Sequence, residues 1–203
     1  TMRNIQDLGQ FQRYIILLAS RAGQLFNLQE IGKECGISQT TAKDWLMLLQ
    51  ATSIVYLLEP YARNLTKRVV KSPKLFFVDT GLLCYLLSIE HVEQLIHSPF
   101  GGHVFENMVI MDRIKHFAGK GERAPCYFYR TSNGSEVDLL IDHSDHFDAF
   151  EIKFSSSPKA DMTESLLEFK SENPVKHCSL LTLRREKHPF SNRIIAEHWS
   201  SIH

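Results

Sequence analysis

The chain has 203 residues, 43% hydrophobic and 23% charged, enough for one large folded domain or two small ones. No apolar run reaches the roughly 18 residues that span a bilayer, and the N-terminus lacks the apolar stretch of a secretory signal. Cys35, Cys84, Cys126 and Cys178 stand more than 40 residues apart with no CxxC pair, which argues against a zinc ribbon or disulfide framework and for reduced thiols in a cytoplasmic protein.

The formal charge of zero is unevenly spread. Residues 1–78 hold ten Lys/Arg against five Asp/Glu, and residues 79–203 hold thirteen against eighteen. A basic front and an acidic back suit two modules with different tasks.

In chain order, Phe11, Ile15, Leu18 and Ala22 recur at helical spacing and predict a first helix over Leu8–Ala22. Asn27, with Glu30 three residues on, caps a second helix over Leu28–Cys35, which Gly36 stops. Ser38 opens a third helix reaching about Ala51. Ile54–Leu58 reads as a strand, with Lys67–Val70 as its partner across a Tyr61–Asn64 turn. Helix, glycine turn, helix and two-stranded wing make a winged helix-turn-helix over residues 1–78.

Two readings of this module stay open. Either Lys43 on the third helix and Arg63, Lys67 and Arg68 on the wing face nucleic acid, or the module spaces proteins and its charges are solvated. One Lys and no Arg between Gln39 and Gln50 is thin provision for reading bases.

Residues 79–100 form a helical connector. It follows a buried strand at Lys74–Val78, and Asp79 caps a short helix within it. The third segment, residues 101–203, opens with a helix over His103–Phe117 that bears Glu106 near its start. Tyr127–Tyr129 is strand-like, Asn133-Gly134 signals a hairpin, and Glu136–Ile141 returns. A turn at His143–His146 leads to a strand over Phe147–Phe154, then a helix from Asp161 with Glu164 as a capping box, and a strand at His177–Leu183. His143-x-x-His146 with Asp145 reads as a solvated turn rather than a zinc site, and Arg130 as an exposed strand-end residue that is within reach of a phosphate.

Asp138 shares a strand face with Glu136, and Glu151 shares one with Lys153. Carboxylates flanked by Leu139–Ile141 and by Phe150 and Ile152 are costly to bury unless paired or bound to a cation. Hard oxygen donors suit Mg2+ or Mn2+, and Lys153 is placed to assist a water or a phosphate. The plainer reading is a surface Glu151–Lys153 ion pair beside a solvated Asp138.

Asp138, the step of thirteen residues to Glu151, and Lys153, after a Glu-bearing helix, resemble the PD-(D/E)xK nuclease superfamily. Asn64–Arg68, Lys71–Lys74, Phe77–Leu83, Phe105–Asn107, Tyr129–Thr131 with Glu136–Asp138, and Glu151–Lys153 are similar, in order, to the DUF4143 region at the C-terminus of prokaryotic AAA+-like P-loop ATPases. The resemblance implies an α/β (α+β) fold, with a winged helix followed by a mixed sheet flanked by helices. It also implies Asp138 and Glu151 as metal ligands, Lys153 as the aid to the water, Glu106 as a supporting carboxylate, and an ATPase domain of the same parent protein as partner. No GxxxxGK[ST] occurs, so the chain is expected to bind no nucleotide and to be the C-terminal part of a longer protein.

Overall fold

The structure, a computed structural model, describes residues 8–61 and 71–202. The chain divides into two compact units, one of residues 1–57 with 72–107 and the other of residues 58–71 with 108–203.

The first unit opens with α1 (Leu8–Ser20), α2 (Leu28–Cys35) and α3 (Gln39–Ala51). Asn27 Oδ1 accepts from the amides of Gln29 and Glu30, and Gly36 ends α2 in the left-handed region at φ 67°. Ser38 Oγ accepts from Thr41 N at 3.0 Å and starts α3. The Trp45 ring meets Phe11 and Tyr14 edge-on at 5.2 and 5.4 Å, and Tyr14 Oη donates to Ala42 O at 2.9 Å, so α3 is fixed to α1 by both packing and a buried hydrogen bond.

Two short strands, β1 (Val55–Leu58) and β2 (Lys74–Phe77), form a two-stranded sheet. The strand expected at Lys67–Val70 lies outside the described residues. β2 is buried throughout and is held on its other side by the turn after α1, where Gly23 N donates to Leu75 O and Phe26 N to Pro73 O. Asp79 Oδ1 caps α4 (Thr80–Leu86) through Leu82 N. The helix α5 (Val92–His97) follows, without a buried residue, inside the segment expected as a helical connector.

α6 (Gly101–Gly119) starts in the first unit. There Asn107 accepts from Phe77 N at 2.8 Å and donates to Phe77 O at 2.9 Å, clamping the end of β2.

The second unit is built on a six-stranded sheet. Its strands are β3 (Cys126–Arg130), β4 (Glu136–Asp142), β5 (Phe147–Ile152), β6 (Val175–Thr182), β7 (His188–Pro189) and β8 (Ile195–His198), in the spatial order β3-β4-β5-β6-β8-β7. β3, β4 and β5 are antiparallel, β5–β6 and β6–β8 are parallel, and β7 returns antiparallel to β8. A parallel neighbour needs a crossover, and α7 (Glu164–Glu172) supplies it, burying Leu166 and Phe169 against Leu140, Phe147 and Ala149.

The expected Asp161–Glu164 capping box does not form. A 3-10 turn over Ala160–Thr163 leads into the helix, and Thr163 Oγ1 donates back to Ala160 O at 2.6 Å. β8 slots between β6 and β7, so the sheet continues beyond the single closing strand expected.

Candidate metal-binding site on the six-stranded sheet

The geometry of the site follows from one turn. Ser144 and Asp145 are the two residues between the opposed pair His143 and His146, with Ser144 at φ 75° and His143 N donating to His146 O at 3.0 Å. A two-residue loop sets the register of everything behind it. The pairing runs Asp142 with Phe147, Ile141 with Asp148, Leu140 with Ala149 and Leu139 with Phe150. One step further sets Asp138 opposite Glu151. The thirteen-residue spacing legible in the sequence is thus the distance that brings two carboxylates together across this hairpin.

A bulge refines the placement of Asp138. Tyr127 pairs with Leu140 but Tyr129 with Val137, so Asp138 and Leu139 both face Phe128. Phe128 is held from its other side, where its amide donates to Glu59 O and its carbonyl accepts from Tyr61 N. Bulges re-aim side chains, and here the bulged residue is the aspartate of the site.

Both carboxylates are buried, with Asp138 and Glu151 each 6% exposed. Asp138 Oδ2 accepts from the Ile152 amide at 2.9 Å, which locks it to β5. Lys153 Nζ donates to Glu151 Oε1 at 2.5 Å and lies 3.9 Å from Asp138 Oδ2. Glu151 Oε2 is buried without a hydrogen-bond partner. Burial is the main force that raises the Glu151 carboxyl to about 8; the Asp138 charge adds to it and Lys153 opposes it. Near neutral pH this carboxyl therefore holds a proton.

The donor set is all oxygen, and one buried oxygen lacks any donor. Those features fit a hard divalent cation, Mg2+ or Mn2+, held by Asp138 and Glu151. A surface ion pair does not describe them, because only Lys153 of the three is substantially exposed.

Two further groups border the site. Glu136 has a carboxylate oxygen within 4.8 Å of one on Asp138 and accepts from Arg130 Nη1 at 2.9 Å. Arg130 is thus paired at the strand end rather than simply solvated.

Glu106 belongs to the first unit, where Lys74 Nζ, on a residue only 2% exposed, donates to its Oε1 at 2.8 Å. Lys43 is exposed on α3 beside Asp44, in a stretch with Gln39, Thr40 and Met47 also exposed. Arg63, Lys67 and Arg68 lie outside the described residues.

Sequence reasoning missed Glu197. This β8 residue is 3% exposed, and its Oε1 lies 3.3 Å from His177 Nε2 while its Oε2 lies 3.3 Å from Lys187 Nζ. The His177 hydrogen bond holds its carboxyl down at about 2. The only signal in the sequence is an acid amid Ile194, Ile195 and Ala196.

Residues 101–201 match the family described as a domain of unknown function, DUF4143, and residues 1–93 match a second, DUF8612, also of unknown function. Two uncharacterized proteins, one of Mycobacterium bovis and one of Mycobacterium tuberculosis, are each 30% identical over 180 residues, which is 89% of this chain and 40% of the relative. The chain therefore spans less than half the length of these curated relatives. No solved structure matches.

Proposed function

With its second half matched to the DUF4143 family, we propose that this chain is the C-terminal module of a larger P-loop ATPase-type protein. Its six-stranded unit is proposed as a PD-(D/E)xK-type site for metal-dependent hydrolysis of phosphodiesters. The observation that carries the reading is Glu151: a buried carboxyl with an unpartnered oxygen, set across a hairpin from a second buried carboxylate, with an ammonium beside both. Asp138 and Glu151 would hold Mg2+ or Mn2+, which when bound lowers the pKa of water and offsets charge on a phosphate. Lys153 orients the attacking water or steadies charge developing on the phosphoryl oxygens. Glu106 is proposed as the supporting carboxylate that the resemblance implies.

Helices α1–α3 followed by the β1–β2 sheet have the order of a winged helix, and this unit would dock the module on nucleic acid or on protein. The longer relatives leave room for the ATPase domain that the resemblance implies, and nucleotide binding is assigned there.

The second reading is a non-catalytic docking module. The exposed part of α3 favours it, because Lys43 is offset by Asp44 and flanked by neutral residues.

The test is nicking of supercoiled plasmid and cutting of single-stranded oligonucleotides in Mn2+ and Mg2+, with Asp138→Ala and Glu151→Ala compared with wild type. A nuclease cuts only with metal, and each variant loses on the order of 10²-fold or more in rate. Cutting that persists in both variants would remove these residues from the mechanism. Absence of cutting, joined to absence of Mn2+ binding by calorimetry, would leave the docking reading.

A further inference from the structure

The turn that sets the register of β4 and β5 also gathers three metal-ligating side chains at the far end of the hairpin. His143 and His146 are the opposed pair that closes the two-residue loop, so both side chains leave the same face. Asp148, two residues beyond His146, points to that face as well. One ligand atom from each of the three lies within 4.8 Å of the others. The imidazoles stack nearly parallel, with centroids 4.7 Å apart and planes 14° from each other. All three are half-buried or exposed, and so reachable from solvent.

We propose that His143, His146 and Asp148 form a Zn2+ site distinct from the carboxylate site at Asp138 and Glu151. Two imidazoles, which are borderline donors, joined by one carboxylate oxygen make a set that zinc takes, and three protein ligands with a water complete a tetrahedron. Tetrahedral coordination sets ligand atoms roughly 3.3 Å apart, so the three close in on the cation by side-chain rotation about a fixed turn.

The present hydrogen bonds fit this role. His143 Nε2 and Asp148 Oδ2 are 2.9 Å apart and share one hydrogen, which Zn2+ displaces to solvent. Asp145 Oδ1 lies 2.7 Å from His146 Nδ1. Ligation through His146 Nε2 keeps that bond, an outer carboxylate orienting a ligating histidine; ligation through Nδ1 replaces it. His177, the register partner of Asp148 on β6, is engaged by Glu197 and is not assigned as a ligand. Asp145, from which a zinc site was discounted in the sequence, is replaced as the acidic ligand by Asp148, which the strand register brings in. Bound there, the cation ties both sides of the turn that aligns Asp138 with Glu151.

Calorimetric titration of the chelator-treated full chain with Zn2+ alone tests the site, with Co2+ substitution read by its visible tetrahedral absorption. One Zn2+ binds per chain, and His143→Ala, His146→Ala and Asp148→Asn each weaken binding by about tenfold or more. The Asp138→Ala, Glu151→Ala double variant retains it, which separates this site from the proposed Mg2+ or Mn2+ site. In the wild-type protein, Zn2+ shifts the imidazole NMR signals of His143 and His146 and leaves that of His188 in place, a readout that needs no variant to fold. Failure to saturate with Zn2+, unchanged affinity in His146→Ala, or loss of binding in the Asp138, Glu151 double variant would each overturn the assignment.

Discussion

At the scale of single residues, the proton on Glu151 makes a prediction in its own right. Its carboxyl is raised from 4.5 to about 8, so between those values the native protein holds a proton that the unfolded chain has released. Stability of the metal-free protein therefore falls as pH rises through this window, by on the order of 4 kcal/mol from this group. Glu151→Gln removes the ionisation. Urea denaturation in chelator should show the variant close to wild type at pH 5 and more stable at pH 8. A difference that stays constant across the window would mean that Glu151 is not held protonated. Glu106 calls for a different reading. Its carboxylate accepts from a buried Lys74, and breaking such a pair costs about 3–5 kcal/mol. Loss of activity in a Glu106 variant would thus report on the fold of the first unit before it reported on chemistry.

At the scale of elements, what the sequence discloses is what is local. Asn27, Ser38 and Asp79 cap the helices expected of them, because a cap needs only its own next three residues. The pairing of Asp138 with Glu151 was equally legible, since a short turn between two apolar strands dictates it. The bulge at Asp138 was not, because it is a mismatch in pairing with a separate strand at Phe128, whose other backbone partners are Glu59 and Tyr61. Nor was the insertion of β8 beside β6, a parallel pairing with no turn to announce it. Glu197 secures that insertion and sets its own pH signature. Its carboxyl sits at about 2 rather than 4.5, so its contribution is full above pH 4.5 and lost as pH falls towards 2. His177 is raised above 6.5 by the same bond, so its share is full below pH 6.5 and lost as pH rises through the raised value. Glu197→Gln should therefore lie furthest below wild type in stability between about pH 4.5 and 6.5, by roughly 1–3 kcal/mol given the half-exposed His177. Denaturation curves that stay parallel from pH 2 to 6 would refute this.

At the scale of the whole chain, the division of charge sets how it meets a polyanion. Residues 79–203 carry the acidic excess, and Asp138 and Glu136 bring carboxylates to the same end of β4 as the proposed metal site. Without a cation these charges repel phosphate. In a metal-dependent nuclease the repulsion is relieved only when the ion is bound. Above about pH 8, where Glu151 is ionised, neutralising the ligands as Asp138→Asn with Glu151→Gln imitates that relief without restoring hydrolysis. In chelator and low salt, the double variant should then bind a short oligonucleotide more tightly than wild type, by roughly threefold to tenfold, as fluorescence anisotropy would show. Raising salt should shrink the gap, since screening weakens the repulsion. A docking module that meets nucleic acid through the basic residues expected to face it, Lys43 and the Arg63–Arg68 segment, gives another result. Its affinity would not change with the double variant, and would instead fall, with a shallower salt slope, when those basic residues were replaced. The two outcomes place the polyanion on different parts of the chain, so one titration series separates a site that acts on phosphodiesters from a surface that only holds them.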